Sequence, residues 1–231
     1  MPVFLLDELS YEFPPVELSR PDGLLAVGGD LSVKRLLNAY RSGIFPWYNQ
    51  GEPILWWSPD PRLVLFPEEL HVPRRLKREM RKGRFRITCN RVFRQVMEQC
   101  GQTRLGQNQG TWINREMINA YCRLHELGYA LSFEAWRDEK LVGGLYGVIL
   151  GSVFFGESMF HRERDASKVA FVHFVNDFKQ RGLRLIDCQV ETEHLKRFGA
   201  RLIPRPRFLE LLVRWQKVPL KKGLPGPSPA C

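Results

Sequence analysis

The sequence predicts an α+β protein with a small N-terminal domain over residues 1–62 and a larger domain over residues 63–216. The first part is interrupted by turn signals and aromatic residues, whereas the second alternates amphipathic helices with short strands. Three consecutive strands of the second part are separated only by tight turns. This succession indicates a mixed, mainly antiparallel sheet, and the helices on either side of it would flank that sheet.

The N-terminal domain contains one predicted helix, over residues 32–42. Ser32 suits the N-cap position, and Gly43 suits the C-terminal end. Two stretches rich in large aromatic residues follow, over residues 44–48 and 54–62. Large rings beside prolines suit a rigid surface that packs on the second domain, with at least one ring available to stack a ligand.

The second domain shows helical and strand periodicities in turn along its length. Helix 116–127 is the clearest case, because its apolar residues lie on one side and Gly128 ends it. The predicted elements in chain order are strand 63–66, helix 76–82, strand 85–89, helices 92–100 and 116–127, strands 130–137, 140–150 and 152–155, helix 167–181, strand 183–190, helix 194–198 and strand 201–203. The tail, residues 217–231, is rich in Pro and Gly and is predicted to be disordered.

Composition excludes several classes of protein. Hydrophobic residues make up 44% of the chain and charged residues 26%, which is typical of a folded soluble protein. No apolar run approaches the roughly 20 residues of a membrane span, and the apolar residues 1–6 lack the basic flank of a signal peptide. We therefore predict a cytoplasmic protein without a membrane partner. The five cysteines and five histidines show neither disulfide nor ligand spacing, so we predict no metal site.

The net charge of +10 points to a polyanionic partner, and the positive charge is unevenly distributed. Between His71 and Arg94, ten Lys and Arg residues accompany a single acid, Glu79. A solvated helix face would interleave the two signs, so a solubilising surface is the alternative interpretation. We predict that this run contacts nucleic-acid phosphates. The predicted contact residues are Arg74, Arg75, Lys77, Arg78, Arg81, Lys82 and Arg84.

The order of the later elements, from helix 116–127 to strand 201–203, resembles the second half of the GCN5-related N-acetyltransferase fold. Residues 194–200 look like the short helix and turn that precede the last strand of that fold. Acetyl-CoA enzymes open their central helix with a Gly-rich loop whose N–H groups hold a pyrophosphate. The corresponding residues 161–168 contain no glycine, which indicates that the scaffold is kept and the CoA donor is lost.

A series of short motifs lies between residues 20 and 208: Gly23–Leu31, Gly43–Trp47, Trp56–Arg62, Gly110–Ile113, Tyr121–His125, Gly143–Val148, Gly156–Phe160, Ala166–Lys168 and Ile186–Val190. Together and in this order, they closely resemble the bacterial leucyl/phenylalanyl-tRNA–protein transferases. Each motif alone is a weak signal, whereas the ordered series is highly specific.

The resemblance implies an enzyme that moves leucine or phenylalanine, and also methionine, from aminoacyl-tRNA to the N-terminus of a protein beginning with Arg or Lys. The modified protein is thereby marked for degradation. The chemistry is aminolysis of an activated ester, so the resemblance implies no cofactor. An acetyl-CoA-dependent N-acetyltransferase and a tRNA-binding protein without catalytic activity are the alternatives. We expect a monomer.

The resemblance also implies three catalytic residues. Asp187 and Gln189 lie two apart on a predicted strand, so their side chains should share a face. In the family the matching aspartate is thought to polarise the glutamine, which positions the attacking amine. A buried ion pair of Asp187 is the alternative. Glu157 lies in an apolar strand, where an isolated carboxylate is costly to bury, and is expected to contact the donor's α-amino group or the terminal ribose.

The substrate side chain is expected to enter a C-shaped apolar pocket that excludes the β-branched Val and Ile. The residues that match the family's pocket positions are Leu145, Phe154, Met159, Phe174, Phe178 and Ile186. Ordinary core packing is the alternative for each of them. Trp47 and Trp112 match the aromatic residues that flank the terminal adenosine of the tRNA, where stacking is worth ~1–3 kcal/mol per base.

Overall fold

Two β-sheets organise the described residues of the computed structural model, which are 3–7, 9–105, 111–221, 223 and 226. The smaller sheet has the order β1-β2-β4-β3. Its strands are β1 (Phe4–Leu6), β2 (Leu24–Gly28), β3 (Phe45–Pro46) and β4 (Leu55–Trp57). Helix α1 (Val33–Arg41) lies between β2 and β3 in the chain, and the Ser32 side chain accepts a hydrogen bond from the Arg35 N–H. The predicted helix and its N-cap are confirmed.

The larger sheet has seven strands in the order β11-β5-β10-β9-β8-β7-β6. These strands are β5 (Arg62–Leu65), β6 (Arg86–Cys89), β7 (Ala130–Arg137), β8 (Lys140–Leu150), β9 (Val153–His161), β10 (Leu185–Gln189) and β11 (Arg201–Ile203). Neighbouring strands run antiparallel, except β9 and β10, which run parallel. The predicted α+β class with a mixed, mainly antiparallel sheet is confirmed.

Helices cover both faces of the larger sheet. They are α2 (Arg74–Arg81), α3 (Phe93–Leu105), α4 (Arg115–Glu126), α5 (Ala166–Gln180), α6 (Glu193–Lys196) and α7 (Arg205–Trp215). Alternate residues of β8 belong to two different hydrophobic clusters: Tyr146 packs with α3 and α4, and Leu145 packs with α5. This alternation follows from the period of two in a strand, which places successive side chains on opposite faces.

Some elements differ from the sequence prediction. The third strand of the meander, β9, extends to His161 rather than ending at Phe155, so Glu157 lies inside it. Helix α7 was not predicted, although Phe208, Leu211 and Leu212 follow a helical spacing and are buried. Its proline lies in the first turn, where the missing N–H costs no hydrogen bond.

The predicted division at residue 62 falls between the two sheets. One hydrophobic cluster nevertheless contains residues from both sides of that position, including Tyr40 and Trp56 with Tyr121 and Phe208. The two predicted domains share this core, and their division at residue 62 into separate domains stays a prediction. Most of the tail predicted to be disordered lies outside the described residues, and within the described part the Lys221 N–H donates to the Arg181 carbonyl at 2.8 Å.

The larger sheet is irregular at one level of β9 and β10. Pairing between these strands runs from Leu185 with Val153 to Asp187 with Phe155, although both strands continue beyond that point. The pairing of β9 with β8 shifts by one residue at Glu157. The pairing of β10 with β5 shifts between Asp187 and Gln189. Such bulges turn side chains away from regular alternation and commonly lie beside functional sites.

Among the helices of the described chain, none is both long and apolar enough to cross a membrane.

Gly147 allows β8 and β9 to approach closely. It is paired with Gly156 across the two strands. A Cβ atom on Gly147 would overlap the Phe155 carbonyl oxygen and the Phe154 ring, whereas one on Gly156 would meet its nearest neighbour at 3.6 Å.

We expect Gly147→Ala to lower the free energy of unfolding by about 1–3 kcal/mol, because the sheet or the Phe154 ring must shift to relieve the overlap. Urea unfolding of Gly147→Ala and of its paired control, Gly156→Ala, measures the difference. Equal midpoints for the two variants would contradict the close approach at Gly147.

Candidate active site

A cavity of about 210 Å³ opens where β9 and β10 cease to pair. One side of it is apolar and is formed by Leu145, Phe154, Met159, Phe171 and Ile186. Glu157 and Gln189 supply charged and amide groups, and Trp47 lines it from the smaller sheet. Engineered cavities of about 150 Å³ bind benzene, so this volume accommodates a benzyl or isobutyl side chain.

Glu157 is the centre of a buried hydrogen-bond network. Its Oε1 accepts from the Tyr40 hydroxyl at 2.8 Å and from the Gln189 Nε2 at 2.8 Å. Its Oε2 accepts from the Tyr121 hydroxyl at 3.4 Å, and the two tyrosine hydroxyls also contact each other. The network joins α1, α4, β9 and β10, so the position of the carboxyl group depends on four elements.

Burial raises the pKa of Glu157 to about 7, and the nearby Asp187 carboxylate contributes to the rise. The hydrogen bonds from Tyr40, Gln189 and Tyr121 act in the opposite direction, because they favour the charged form. Burial also raises the pKa of Tyr40 and of Tyr121 well above the usual value, so both remain hydroxyl donors. A carboxyl group with a pKa near neutrality can both accept and release a proton at physiological pH.

Asp187 lies beside this network, in an ion pair with Arg62. The Arg62 Nε and Nη2 donate to its two carboxylate oxygens at 2.8 and 2.7 Å, and both side chains are buried. The guanidinium lies between the rings of Phe45 and Phe208, at 4.8 and 4.7 Å from their centroids. The ion pair therefore joins β5 to its neighbouring strand, β10.

The Asp187 carboxylate contacts the backbone N–H of Gln189 rather than the Gln189 side-chain amide. The Gln189 N–H donates to Asp187 Oδ1 at 2.8 Å, while the Gln189 amide points to Glu157. Gln189 has a φ of 63°, in the left-handed region, and the register shift lies directly before it. The alternation that predicted a shared face for the two side chains does not hold across such a bulge.

Four of the six predicted pocket residues line the cavity: Leu145, Phe154, Met159 and Ile186. The other two, Phe174 and Phe178, do not line this cavity. Phe174 packs behind Phe154, with ring centroids 4.4 Å apart, and Phe178 packs behind Phe174. Phe171, one turn nearer the N-terminus of α5, reaches the cavity in their place. The sequence could not decide which turn of this apolar helix would face the cavity.

Trp47 and Trp112 stack directly on each other, with ring centroids 4.4 Å apart and planes at 29°. A base cannot lie between the two rings in this arrangement, so it would have to stack on an outer face or part them. Within the described chain, the buried Trp47 Nε1 has no hydrogen-bond partner. This donor lies on a side chain that lines the cavity.

The seven basic residues predicted to contact phosphates divide into two groups. Arg75 pairs with Asp165 at 2.7 Å, and Lys82 and Arg84 pair with Glu79 at 2.6 and 3.6 Å. The other four make no ion pair with any described residue and line one surface depression; we call them the basic face: Arg74, Lys77, Arg78 and Arg81. Their spacing of three and four residues places them on one side of α2.

Tyr40, Tyr121 and Arg62 belong to the site but were not predicted as functional residues. Tyr40 and Tyr121 follow the apolar periodicity of their helices, which made them indistinguishable from core residues. The described residues contain no group of three or more His, Cys, Asp or Glu side chains that could hold a metal ion.

Two family models match the chain. The model described as leucyl/phenylalanyl-tRNA protein transferase matches residues 64–213, and the model of the N-terminal domain of the same transferase matches residues 29–60. A leucyl/phenylalanyl-tRNA–protein transferase from Anaeromyxobacter sp. (strain Fw109-5) is 61% identical over 212 residues, which are 91% of this chain and 90% of that protein. A protein of the same name from Magnetococcus marinus is 56% identical and covers 97% of each chain.

The chain is also similar to a solved structure at much lower identity. A GCN5-related glucosamine N-acetyltransferase region of a fungal multi-domain β-N-acetylglucosaminidase is 15% identical, with a TM-score of 0.42. The match covers 77% of this chain and 23% of that one.

The raised pKa of Glu157 predicts a pH-dependent stability. The unfolded carboxyl group, with a pKa of 4.5, binds fewer protons than the folded one between pH 4.5 and about 7. As the pH rises through this window, the free energy of unfolding of the wild type should therefore fall relative to that of Glu157→Gln, by up to about 3 kcal/mol. Urea unfolding at about pH 5 and about pH 8 measures it. Glu98→Gln, at an exposed position of α3, is the control, and a pH-independent difference for Glu157→Gln would contradict the prediction.

Proposed function

Since the chain belongs to the leucyl/phenylalanyl-tRNA protein transferase family, we propose that it moves leucine, phenylalanine or methionine onto proteins whose first residue is Arg or Lys. The family establishes the coarser activity, which is aminoacyl transfer from tRNA to protein. The choice of donors and acceptors, the marking of the product for degradation, the cytoplasmic location and the monomeric state belong to the proposal.

The observation that supports the proposal best is the composition of the cavity. An apolar wall that can contact a leucyl or phenylalanyl side chain faces a Glu157–Gln189 pair that can hold a reacting amine. An aminoacyl ester needs both parts in one place, since its side chain must be selected while its carbonyl carbon is attacked.

The reaction forms one bond and breaks one. The α-amine of the acceptor attacks the aminoacyl carbonyl carbon, an amide C–N bond forms, and the ester C–O bond to the ribose breaks. The amine loses a proton in total, and the departing ribose oxygen gains one. An α-amino group has a pKa near ~8, so a modest base is enough to supply its neutral form at physiological pH.

The geometry suggests a role for each polar group. The Gln189 Nε2 donates to Glu157, which leaves the Gln189 Oε1 to accept a hydrogen bond from the incoming amine. Glu157, with a pKa of about 7, receives the proton that the amine releases. Asp187 acts as a positioning residue, because its contact with the Gln189 N–H helps to hold that residue in its left-handed conformation.

The donor tRNA is held by aromatic groups at the edge of the cavity and by basic groups outside it. The terminal adenosine stacks on Trp47 or Trp112, and the unpartnered Trp47 Nε1 offers a donor to the same nucleotide. The basic face of α2 contacts backbone phosphates, which supply affinity without reading sequence.

A mass measurement tests the proposed function. We expect the chain, mixed with Leu-tRNA and a peptide beginning with Arg, to add one leucyl residue to the peptide. Gln189→Leu should slow this transfer by roughly 100-fold or more because the amine loses its acceptor. Gln180→Leu, at an exposed position of α5, is the matched control. Acetylation of the peptide from acetyl-CoA, or tRNA binding without any transfer, would overturn the proposal.

Phe171 tests the assignment of the apolar wall. Phe171→Ala should enlarge the cavity and raise the rate with Ile-tRNA relative to Leu-tRNA by 10- to 200-fold at most, the range that methylene-scale contacts allow. Phe174→Leu, which changes a ring behind the wall, should leave the ratio unchanged.

A melting curve must accompany these rates, because Phe→Ala in a core costs ~3–5 kcal/mol. A folded Phe171→Ala variant with the wild-type ratio would place the side-chain site elsewhere.

The basic face predicts the salt dependence of tRNA binding. The double variant Arg74→Ala/Arg78→Ala should flatten the slope of log K against log salt concentration by up to about 2, because two phosphate contacts are lost. Lys82→Ala/Arg84→Ala removes the same charge from residues already paired with Glu79 and should change the slope less. Equal slopes for both double variants would assign the basic face to ordinary solvated surface.

A further inference from the structure

A second cavity, also of about 210 Å³, lies beside the candidate active site. Three basic side chains line it, Arg75 from α2, Lys168 from α5 and Arg197 from the end of α6, together with one acidic side chain, Asp165. Asp165 is nearly buried and pairs with Arg75 at 2.7 Å and with Lys168 at 3.0 Å. The formal charge of these four side chains is therefore positive by two, and the side chain of Arg197 has no partner among the described residues.

The backbone adds to this positive charge. Asp165 is the N-cap of α5, yet its side chain gives no capping hydrogen bond to the first turn. Its carboxylate is directed to the cations instead. The N-terminal end of a 15-residue helix thus adds its partial positive charge to the same cavity.

His194 connects this cavity to the candidate active site. It lines both cavities, and its buried Nε2 has no hydrogen-bond partner in the described chain. Burial and repulsion from Lys168, His161 and Arg197 lower its pKa, so the ring is neutral at physiological pH. A neutral imidazole with an unpartnered nitrogen can hydrogen-bond an oxygen atom without adding to the cost of desolvating a charge.

The second cavity also adjoins the basic face. Arg75 follows Arg74 at the start of α2, and α2 packs on α5. Cationic side chains therefore follow one another from the basic face through Arg75, Lys168 and Arg197, and this cavity meets the active-site cavity at His194. A single-stranded nucleic-acid end needs such a succession of contacts, because each nucleotide brings one more phosphate.

We propose that the second cavity binds a backbone phosphodiester of the single-stranded 3′ end of the donor tRNA. Arg197 and Lys168 contact the phosphate oxygens, and His194 hydrogen-bonds the same nucleotide beside the active-site cavity. The inference rests on the proposed function. It adds one phosphate contact on the tRNA chain between the phosphates bound by the basic face and the aminoacyl ester in the active-site cavity.

Arg197 provides the cleanest test, because it is exposed and its removal leaves no described partner unpaired. Arg197→Ala should weaken binding of Leu-tRNA by about 3- to 10-fold and flatten the salt slope by about 1. Arg197→Lys should restore the slope. Arg164→Ala is the matched control, since this highly exposed residue does not line the cavity and reaches the Asp165 carboxylate only at 3.9 Å.

A neutral methylphosphonate introduced at each linkage of the tRNA 3′ end in turn identifies the phosphate. A methylphosphonate at one linkage should weaken tRNA binding to the wild type and to Arg164→Ala. The same substitution should not change tRNA binding to Arg197→Ala. Lys168→Met should likewise lose its sensitivity to the methylphosphonate at that linkage. A melting curve of this variant shows whether it is folded. If every linkage affects wild type and Arg197→Ala equally, the assignment is wrong.

Free pyrophosphate distinguishes the source of the anion. If pyrophosphate binds through Arg197 in calorimetry while tRNA affinity is unchanged in Arg197→Ala, the cavity serves a free anion and the proposal is overturned. Transfer of leucine to the Arg peptide by the wild type is measured in parallel. If the wild type transfers leucine but Arg197→Ala binds tRNA like the wild type, only this inference is rejected. If the wild type does not transfer leucine, the proposed function is rejected.

Discussion

The buried ion pair between Arg62 and Asp187 is the interaction on which the rest of the site depends. It joins β5 to β10 at the level where β10 departs from regular pairing. Asp187 also accepts from the Gln189 N–H, so the same carboxylate fixes the backbone that carries the amide into the cavity. Removing one partner of such a pair leaves an uncompensated buried charge, which typically costs ~3–5 kcal/mol. The site therefore shares its principal support with the fold.

The irregularity of the sheet creates the cavity. If β9 and β10 paired along their whole length, their backbones would close the space that now contains the cavity. The register of β9 with β8 shifts at Glu157 and that of β10 with β5 shifts before Gln189, and beyond this level the two polar side chains meet. The cost is a buried carboxyl group, and the three hydrogen bonds from Tyr40, Tyr121 and Gln189 offset part of it.

The basic side chains of residues 74–84 fall into two groups, those that form ion pairs within the protein and those that do not. Arg75, Lys82 and Arg84 are held by carboxylates, whereas the basic face of α2 lacks any ion pair to a described residue. An ion-paired cation must give up its partner to bind a phosphate, while an unpaired one gives up only water and counterions. The distinction cannot be read from the run of Lys and Arg in the sequence, because it depends on where Glu79 and Asp165 lie.

The sequence by itself determined the α+β class, most of the helices and strands of the larger sheet, and the family. The ordered motifs also contain three residues of the candidate site, Glu157, Asp187 and Gln189. Only the tertiary structure decided how these residues meet. Strand alternation is a rule for regular strands, and it fails at Gln189, where the backbone is left-handed. Phe171 rather than Phe174 lines the cavity, because the direction in which α5 crosses the sheet selects one turn of a uniformly apolar helix, and that direction is set by contacts distant in sequence.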